Sequence, residues 1–174
     1  MRFDHYFRNE PLPPSREEFL KSKGLDPSRK TIFFASQCHK TFHVDFIRSF
    51  IAWNENKLFA EPLNLFVRPH TLDSLEDYRQ FSVIPYVCVE RAVVLRQNES
   101  ASGHKTEMDE SDFINTKMLL KYCDVCVTVN STMSVEAMVF DKPVVCVGFV
   151  PLYSEAIYCE SYYPVVKCGA VRLA

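Results

Sequence analysis

The residues around position 131 combine groups that suit a phosphate with an acid that suits a sugar hydroxyl. Asn130, Ser131 and Thr132 follow the apolar run 125–129 and open a helical segment, and Glu136 lies one turn further on. A helix start exposes backbone N–H groups, and hydroxyls beside them favour phosphate binding. Glu136 would then reach a ribose whose diphosphate rests there. The pattern also fits a plain helix N-cap followed by a solvated acid.

A second basic motif follows another predicted strand. Arg68, Pro69 and His70 come directly after the apolar run 63–67. Since Pro69 cannot continue a strand ladder, we expect the chain to turn outward and to present both basic side chains at the sheet edge. Arg68 could bind a phosphate as a planar fork, and His70 is the candidate catalytic proton donor or acceptor. A structural turn with a hydrogen-bonded histidine is the alternative.

Other candidate ligands are weaker. Ser36 and Gln37 end the first predicted strand, and three further histidines carry less weight: His39, His43 and His104. No Asp, Glu or His set has metal-ligand spacing, and no glycine-rich phosphate loop or dinucleotide fingerprint occurs. The pair Cys123 and Cys126 lacks a second ligand pair, which disfavours a zinc or redox site. We therefore predict neither a metal site nor a bound cofactor.

The elements that must position these residues alternate along the chain. Continuous apolar runs typical of strands buried on both faces are separated by segments with helical spacing, which predicts a parallel sheet covered on both sides, a Rossmann-like α/β fold. Ligands bind such sheets at the carboxyl ends of the strands. The polar stretch 96–111 is predicted to be a loop that forms a lid or rim. The predicted strands are 31–35, 63–67, 86–90, 125–129 and 143–147, and the predicted helices are 16–23, 42–57, 74–81, 113–122 and 132–140.

Composition narrows the function classes. The chain has 174 residues, 47% hydrophobic residues and a net charge of -2, values typical of a globular domain without the basic surface that nucleic-acid binding needs. Its seven cysteines lie mostly within apolar runs, which predicts reduced, buried thiols in a cytosolic protein. We divide the chain into an interdomain linker with a short helix, 1–30, and a nucleotide-binding domain, 31–174. The last residues stop in mid-pattern, which predicts a fragment of a longer chain.

Several motifs together resemble a known family. They are 65–70 (LFVRPH), 122–132 (YCDVCVTVNST), Glu136-Ala137 and 141–145 (DKPVV), with 2–4 (RFD) similar to a stretch at the interdomain linker. The pattern is similar to the C-terminal, donor-binding half of GT-B glycosyltransferases, above all the CDP-glycerol glycerophosphotransferase-like and surface-polysaccharide enzymes. UDP-N-acetylglucosamine 2-epimerases share a similar layout.

The resemblance implies roles for individual residues. Ser131 and Thr132 would hold the donor diphosphate beside Asn130, and Glu136 would hold the ribose. Ser36, Gln37, Arg68 and His70 would lie near the phosphates.

The resemblance also implies a function and partners. The donor would be a nucleoside diphosphate sugar or a CDP-polyol, and an N-terminal acceptor domain would complete a metal-independent enzyme. This enzyme would act in the cytoplasm or at the inner face of the membrane, through peripheral association of the full-length chain. A UDP-sugar 2-epimerase domain and a non-enzymatic flavodoxin-like interaction domain are the alternatives. The first predicted strand ends in Ser36 and Gln37 rather than in an acidic cluster, which disfavours the flavodoxin-like receiver type.

Overall fold

A six-stranded sheet forms the centre of the molecule. The computed structural model describes residues 6, 14–36, 40–71, 73–92, 94–100, 103–129, 131–147 and 172–173. All adjacent strand pairs of the sheet are parallel. In chain order the strands are β1 (Lys30–Ala35), β2 (Leu63–Arg68), β3 (Val87–Val89), β4 (Val94–Ser100), β5 (Gly103–Met108), β6 (Val125–Thr128), β7 (Val144–Cys146) and β8 (Arg172–Leu173). The sheet has the order β3-β2-β1-β6-β7-β8, which confirms the predicted Rossmann-like α/β class.

The apolar runs of the sequence form strands because both faces of the sheet are covered. Phe33 and Phe34 are adjacent in β1, and since successive strand residues point to opposite faces they belong to two different cores. One core includes Leu20, Leu119 and Ala137. The other core includes Ile47 and Phe50 among its members. Each of the five predicted strands is found in the structure, with bounds within a few residues of those predicted.

The predicted helices are also found. They are α1 (Arg16–Ser22), α2 (Lys40–Glu55), a 3-10 helix (Leu75–Phe81), α3 (Glu110–Tyr122) and α4 (Met133–Val139). Ser15 and Glu18 form the predicted capping box, in which the Glu18 amide donates to Ser15 Oγ at 3.2 Å and the Ser15 amide donates to Glu18 Oε2 at 2.8 Å. Gly24 has a φ of +71°, the left-handed conformation expected where α1 ends.

Helix α1 is packed into the domain. Phe19 and Leu20 are 5% and 1% exposed, and both belong to the core on the α3 side of the sheet. Arg16 reinforces this contact, because its Nη2 lies 3.2 Å from Asp124 Oδ2. The assignment of residues 1–30 to an interdomain linker stays a prediction.

The prediction of a polar loop over residues 96–111 is wrong. Strands β4 and β5 pair antiparallel through this stretch, with Asn98 opposite Lys105 and Glu99 opposite His104. Helix α3 then starts at Glu110, after the N-cap Asp109. From Arg96 to Glu107 the paired residues are polar or glycine. This stretch therefore lacks the apolar alternation that identifies a half-buried strand.

The cysteines of the described residues are free thiols. Cys123 and Cys126 are buried in the core, as the sequence predicts. Burial raises the pKa of Cys123 to about 12, so this thiol stays protonated at neutral pH. Within the described residues, no helix is both long enough and apolar enough to cross a membrane.

Candidate active site

A cleft of about 480 Å³ opens at the carboxyl ends of the strands. The chain leaves β1 toward β2 and β3 on one side and returns to β6 and β7 on the other, so the strand order reverses between β1 and β6. In open parallel sheets this switch point is where ligands bind. The cleft is lined by Tyr6, Ala35, Ser36, Arg68, Pro69, His70, Thr71, Ala92, Phe113, Thr116, Ser131, Thr132, Met133 and Glu136.

Arg68 belongs to the cleft but does not turn outward as predicted. It is the last residue of β2 and is only 7% exposed. Its Nη2 atom pairs with Asp112 on α3, and its Nη1 atom donates to Thr116 Oγ1 at 2.7 Å. The guanidinium turns inward because Asp112, itself 2% exposed, supplies the compensating charge. The predicted phosphate contact of Arg68 would therefore have to be made beside an existing ion pair.

Ser36 and His70 lie together at the ends of β1 and β2. The His70 amide donates to Ser36 Oγ at 2.8 Å, and Ser36 Oγ donates to Asp73 Oδ2 at 3.1 Å. The Asp73 amide donates back to the carbonyl of His70 at 2.9 Å, which closes a tight turn. The structure thus links two residues that the sequence placed in one site, and it adds Asp73, which sequence reasoning missed.

Asp73 is the centre of a buried polar cluster beneath the cleft. The Tyr78 hydroxyl of the 3-10 helix donates to Asp73 Oδ2 at 2.9 Å. His43 of α2 is fully buried, and its Nδ1 atom lies 3.7 Å from the same oxygen. Burial is the main reason why the pKa of Tyr78 is raised well above its ordinary value, with the Asp73 carboxylate adding to the effect.

The start of α4 differs from the predicted phosphate site. Ser131 and Thr132 line the cleft, but the amides of the first turn are already bonded within the turn. The Met133 amide donates to Ser131 Oγ, the Ser134 amide to the Ser131 carbonyl, and the amides of Val135 and Glu136 to the Thr132 carbonyl. The expectation of free backbone donors is therefore wrong for these four amides.

Glu136 lies across the cleft from His70 and has two described partners. The Tyr6 hydroxyl donates to Glu136 Oε2, and Thr132 Oγ1 donates to Oε1 at 3.4 Å. Tyr6 is 6% exposed and packs edge-on against Phe140, with ring centroids 5.3 Å apart. Tyr6 was not predicted as a site residue, because it lies in the segment assigned to a linker.

The remaining predicted residues are not all described. Gln37, His39 and Asn130 lie outside the described residues. His104 is part of β5. In the part of the chain that the structure describes, no group of three or more His, Cys, Asp or Glu side chains could hold a metal ion.

Comparisons with known proteins support the resemblance seen in the motifs. Residues 84–156 match the family model "capsule polysaccharide biosynthesis protein". This segment begins before β3 and includes β6, α4 and β7, and therefore the α4 side of the cleft. No curated protein sequence gives a significant match.

Three solved structures share the fold at low sequence identity. The MnaA–UDP structure from S. aureus has a TM-score of 0.58 and 12% identity, covering 95% of this chain and 37% of that one. A UDP-GlcNAc 2-epimerase from Neisseria meningitidis bound to UDP-GlcNAc has a TM-score of 0.53 and 10% identity, covering 91% and 35%. The wall teichoic acid polymerase TagF soaked with CDPG has a TM-score of 0.51 and 13% identity, covering 80% and 28%.

These likenesses establish the fold. The chain is a Rossmann-like α/β unit whose fold these three structures share, which confirms the predicted fold class. It spans about a third of the length of the structures it matches, from 28% of TagF to 37% of MnaA.

Proposed function

We propose that this chain binds a nucleoside diphosphate donor for a glycosyltransferase or glycerophosphotransferase of surface polysaccharide synthesis. The observation that carries the proposal is the cleft of about 480 Å³ at the switch point of the sheet, with Glu136 on one wall and His70 on the other. The three solved structures with this fold are described with UDP, UDP-GlcNAc or CDPG, which favours a nucleotide in the corresponding place.

Glu136 is the proposed ribose ligand. Its carboxylate lies in the cleft wall and is half-buried, so a hydrogen bond from a sugar hydroxyl would be partly shielded from water. Tyr6 already donates to Oε2, whereas Oε1 has a longer contact of 3.4 Å with Thr132. A ribose hydroxyl would therefore be bound at Oε1.

The diphosphate is proposed to lie between the two walls of the cleft. Ser131 and Thr132 offer hydroxyl groups on one side, and His70 lies on the other. Arg68 would not offer a free fork to the diphosphate, because Asp112 and Thr116 occupy its Nη2 and Nη1 atoms. Protonated His70 could neutralise the leaving diphosphate, and the same group could transfer a proton during the reaction.

Transfer itself is proposed to need a further domain. Since the chain spans about a third of each related structure, the acceptor and the general base would come from the rest of the enzyme. We propose a cytoplasmic enzyme, since the donor would be a nucleotide. The chain alone should not turn over a nucleotide sugar, and turnover by a preparation free of contaminating enzyme would contradict this.

Calorimetric titration with CDP, UDP, GDP and ADP tests the proposal. We expect one diphosphate to bind with a Kd of about 0.1–1 mM, since a cleft closed by one domain only provides limited contact area. Amide chemical-shift changes on binding should fall on the ends of β1 and β2 and on the start of α4. Changes confined to another face of the sheet, or no binding by any of the four, would refute the proposed function.

A UDP-sugar 2-epimerase domain is the second candidate. It is favoured by the MnaA–UDP structure, which has the highest TM-score of the three and covers 95% of this chain. Base preference separates the two candidates in part. A clear preference for UDP over CDP favours the epimerase and other UDP-sugar enzymes, and the reverse favours a CDP-polyol transferase.

A further inference from the structure

A single buried carboxylate oxygen lies beneath the β1 and β2 ends of the cleft. Asp73 is 2% exposed, and its Oδ2 atom accepts hydrogen bonds from Ser36 Oγ at 3.1 Å, from Tyr78 at 2.9 Å and from the His70 amide at 3.3 Å. His43 Nδ1 lies 3.7 Å from the same atom. The four groups come from four places in the chain: the end of β1, the 3-10 helix, the turn after β2, and α2. Asp73 therefore joins four segments at one point.

The chemistry of a carboxylate fixes the direction of these hydrogen bonds. An ionised carboxylate only accepts, so the Ser36 hydroxyl must donate its proton to Asp73. Ser36 Oγ then accepts from the His70 amide. The Ser36 proton points below the cleft, and it is not available to a phosphate while this bond is made. In this arrangement Ser36 holds the His70 amide, and its predicted phosphate contact stays a prediction.

We infer that Asp73 is a positioning residue of the cleft, which acts through Ser36 and the His70 backbone to hold the turn that carries the His70 side chain. The turn is held at both ends, because the Asp73 amide donates to the His70 carbonyl while the Asp73 carboxylate accepts from the His70 amide. Neither Asp73 nor Tyr78 lines the cleft, so Asp73 acts without touching the ligand. The effect on nucleotide binding rests on the proposed function, whereas the effect on the turn does not.

Two variants and a matched control test this inference in the full 174-residue chain. Asp73→Asn replaces the charged acceptor by a neutral one, and Ser36→Ala removes the hydroxyl between Asp73 and His70. Tyr78→Phe is the control, because it removes another hydrogen bond to the same oxygen and leaves Asp73, Ser36 and the His70 amide in place. Amide hydrogen exchange of His70, measured by NMR, reports directly on the turn, and thermal unfolding gives the stability of each variant.

We expect His70 exchange to be at least about tenfold faster in Asp73→Asn and Ser36→Ala after correction for global stability, since charge-assisted hydrogen bonds are roughly twice as strong as neutral ones. In Tyr78→Phe it should change less than about twofold, even where the melting temperature falls as far. Nucleotide affinity should follow the same order, with about a tenfold loss in the two test variants.

The outcomes separate this inference from the proposed function. Unchanged His70 exchange in Ser36→Ala, or equal acceleration in the Tyr78→Phe control, would overturn the positioning role. Should Asp73→Asn fail to fold, Ser36→Ala decides alone, because a serine-to-alanine change at the end of a strand removes little volume. If the unmodified chain binds no nucleotide, the proposed function fails, and His70 exchange still decides the role of Asp73.

Discussion

The two walls of the cleft are built in different ways. On the wall formed by the ends of β1 and β2, Ser36 and Arg68 are each 7% exposed, and their polar atoms are satisfied by the buried carboxylates of Asp73 and Asp112. On the wall formed by α4, Ser131, Thr132 and Glu136 are half-buried, and the Thr132 to Glu136 contact is long at 3.4 Å. The first wall is an internally neutralised network, and the second keeps polar atoms accessible to a ligand.

This difference teaches that lining a cleft and binding its ligand are separate properties. Groups that are buried and charge-paired contribute mainly to stability and to geometry, because removing one partner leaves the other uncompensated. Half-buried groups with long hydrogen bonds can exchange partners at small cost. Substitutions on the first wall should therefore change the free energy of unfolding and affect the ligand only through the position of His70, whereas substitutions on the α4 wall should change ligand affinity directly.

The largest expected effect is on the first wall. Asp112→Ala leaves the Arg68 guanidinium buried without its charge partner and should reduce the free energy of unfolding by about 3–5 kcal/mol. Urea unfolding followed by circular dichroism measures this loss. The double variant Arg68→Leu with Asp112→Leu should recover much of it, since an apolar pair avoids the desolvation of both charges.

The matched control is Asp45→Ala. Asp45 lies 3.6 Å from Arg48 in an exposed ion pair on α2, and its loss should change stability by less than about 0.5 kcal/mol. If Asp112→Ala and Asp45→Ala reduce the free energy of unfolding equally, the Arg68–Asp112 pair does not stabilise this wall more than an exposed ion pair would. Arg68→Ala alone is a poor test of phosphate binding, because it also leaves Asp112 unpaired.

The next effect is expected on the α4 wall. Glu136→Gln keeps the shape of the side chain and an acceptor for Tyr6, but it removes the charge that would strengthen two ribose hydrogen bonds. Nucleotide affinity should fall about five- to tenfold, or roughly 1–1.4 kcal/mol, while the melting temperature changes little. Calorimetry measures the affinity. Glu110→Gln, an exposed acid of α3 outside the cleft, should bind as the unmodified chain does. Equal affinity in Glu136→Gln would remove Glu136 from the site.

A smaller effect is expected from alkaline pH on the buried network. Burial raises the pKa of Tyr78 in the folded chain, whereas an unfolded tyrosine titrates near about 10. Below pH 10 both states hold the proton, so Tyr78 adds no pH dependence there. Above that pH the unfolded state loses its proton first, and stability should fall by up to about 1.4 kcal/mol per pH unit.

Comparison with Tyr78→Phe isolates this contribution. Urea unfolding at pH 9 and at about pH 11 should show a steeper loss in the unmodified chain than in the variant, because only the former has the buried phenol. Parallel losses would mean that Tyr78 titrates in the folded state as it does in the unfolded one, and that this part of the first wall is open to solvent.

The smallest effect is expected from removal of metal ions. In the proposed site, protein groups on the two walls meet the leaving charge without a cation. Nucleotide affinity should be unchanged in EDTA. If EDTA abolishes nucleotide binding and Mg²⁺ or Mn²⁺ restores it, the assignment of the diphosphate site to groups on the two walls is wrong.

The sheet could be predicted from the sequence because its signal is local. Segments such as Thr31 to Ala35 are continuous apolar runs, and such runs become strands wherever helices cover both faces. The hairpin β4–β5 gave no such signal, because residues such as Asn98 and Lys105 pair across it and neither is apolar. These two strands form because they pair with each other. The hydrophobic pattern of either strand alone does not reveal this pairing.

The sequence predicted which residues line the cleft, but not which residues they contact. Strand ends identified Ser36, Arg68, His70 and Ser131 as cleft residues, since parallel strands share one carboxyl edge. Their partners lie far away in the chain: Asp112 is 44 residues from Arg68, and Tyr6 is 130 residues from Glu136. Such pairs form only in the tertiary fold. The residues next to Arg68 in the sequence therefore could not predict that its side chain turns inward.

The position of β6 beside β1 also determines how the chain can fold during its synthesis. Ala35 and Thr128 are joined by a hydrogen bond across 93 residues, so one edge of β1 stays unpaired until β6 has left the ribosome. The core around Phe33 is also incomplete until α3 is made, because Met118, Leu119 and Leu120 belong to it. A nascent chain that stalls between β3 and β6 would present an apolar open edge, the kind of surface that chaperones bind and that aggregates form on.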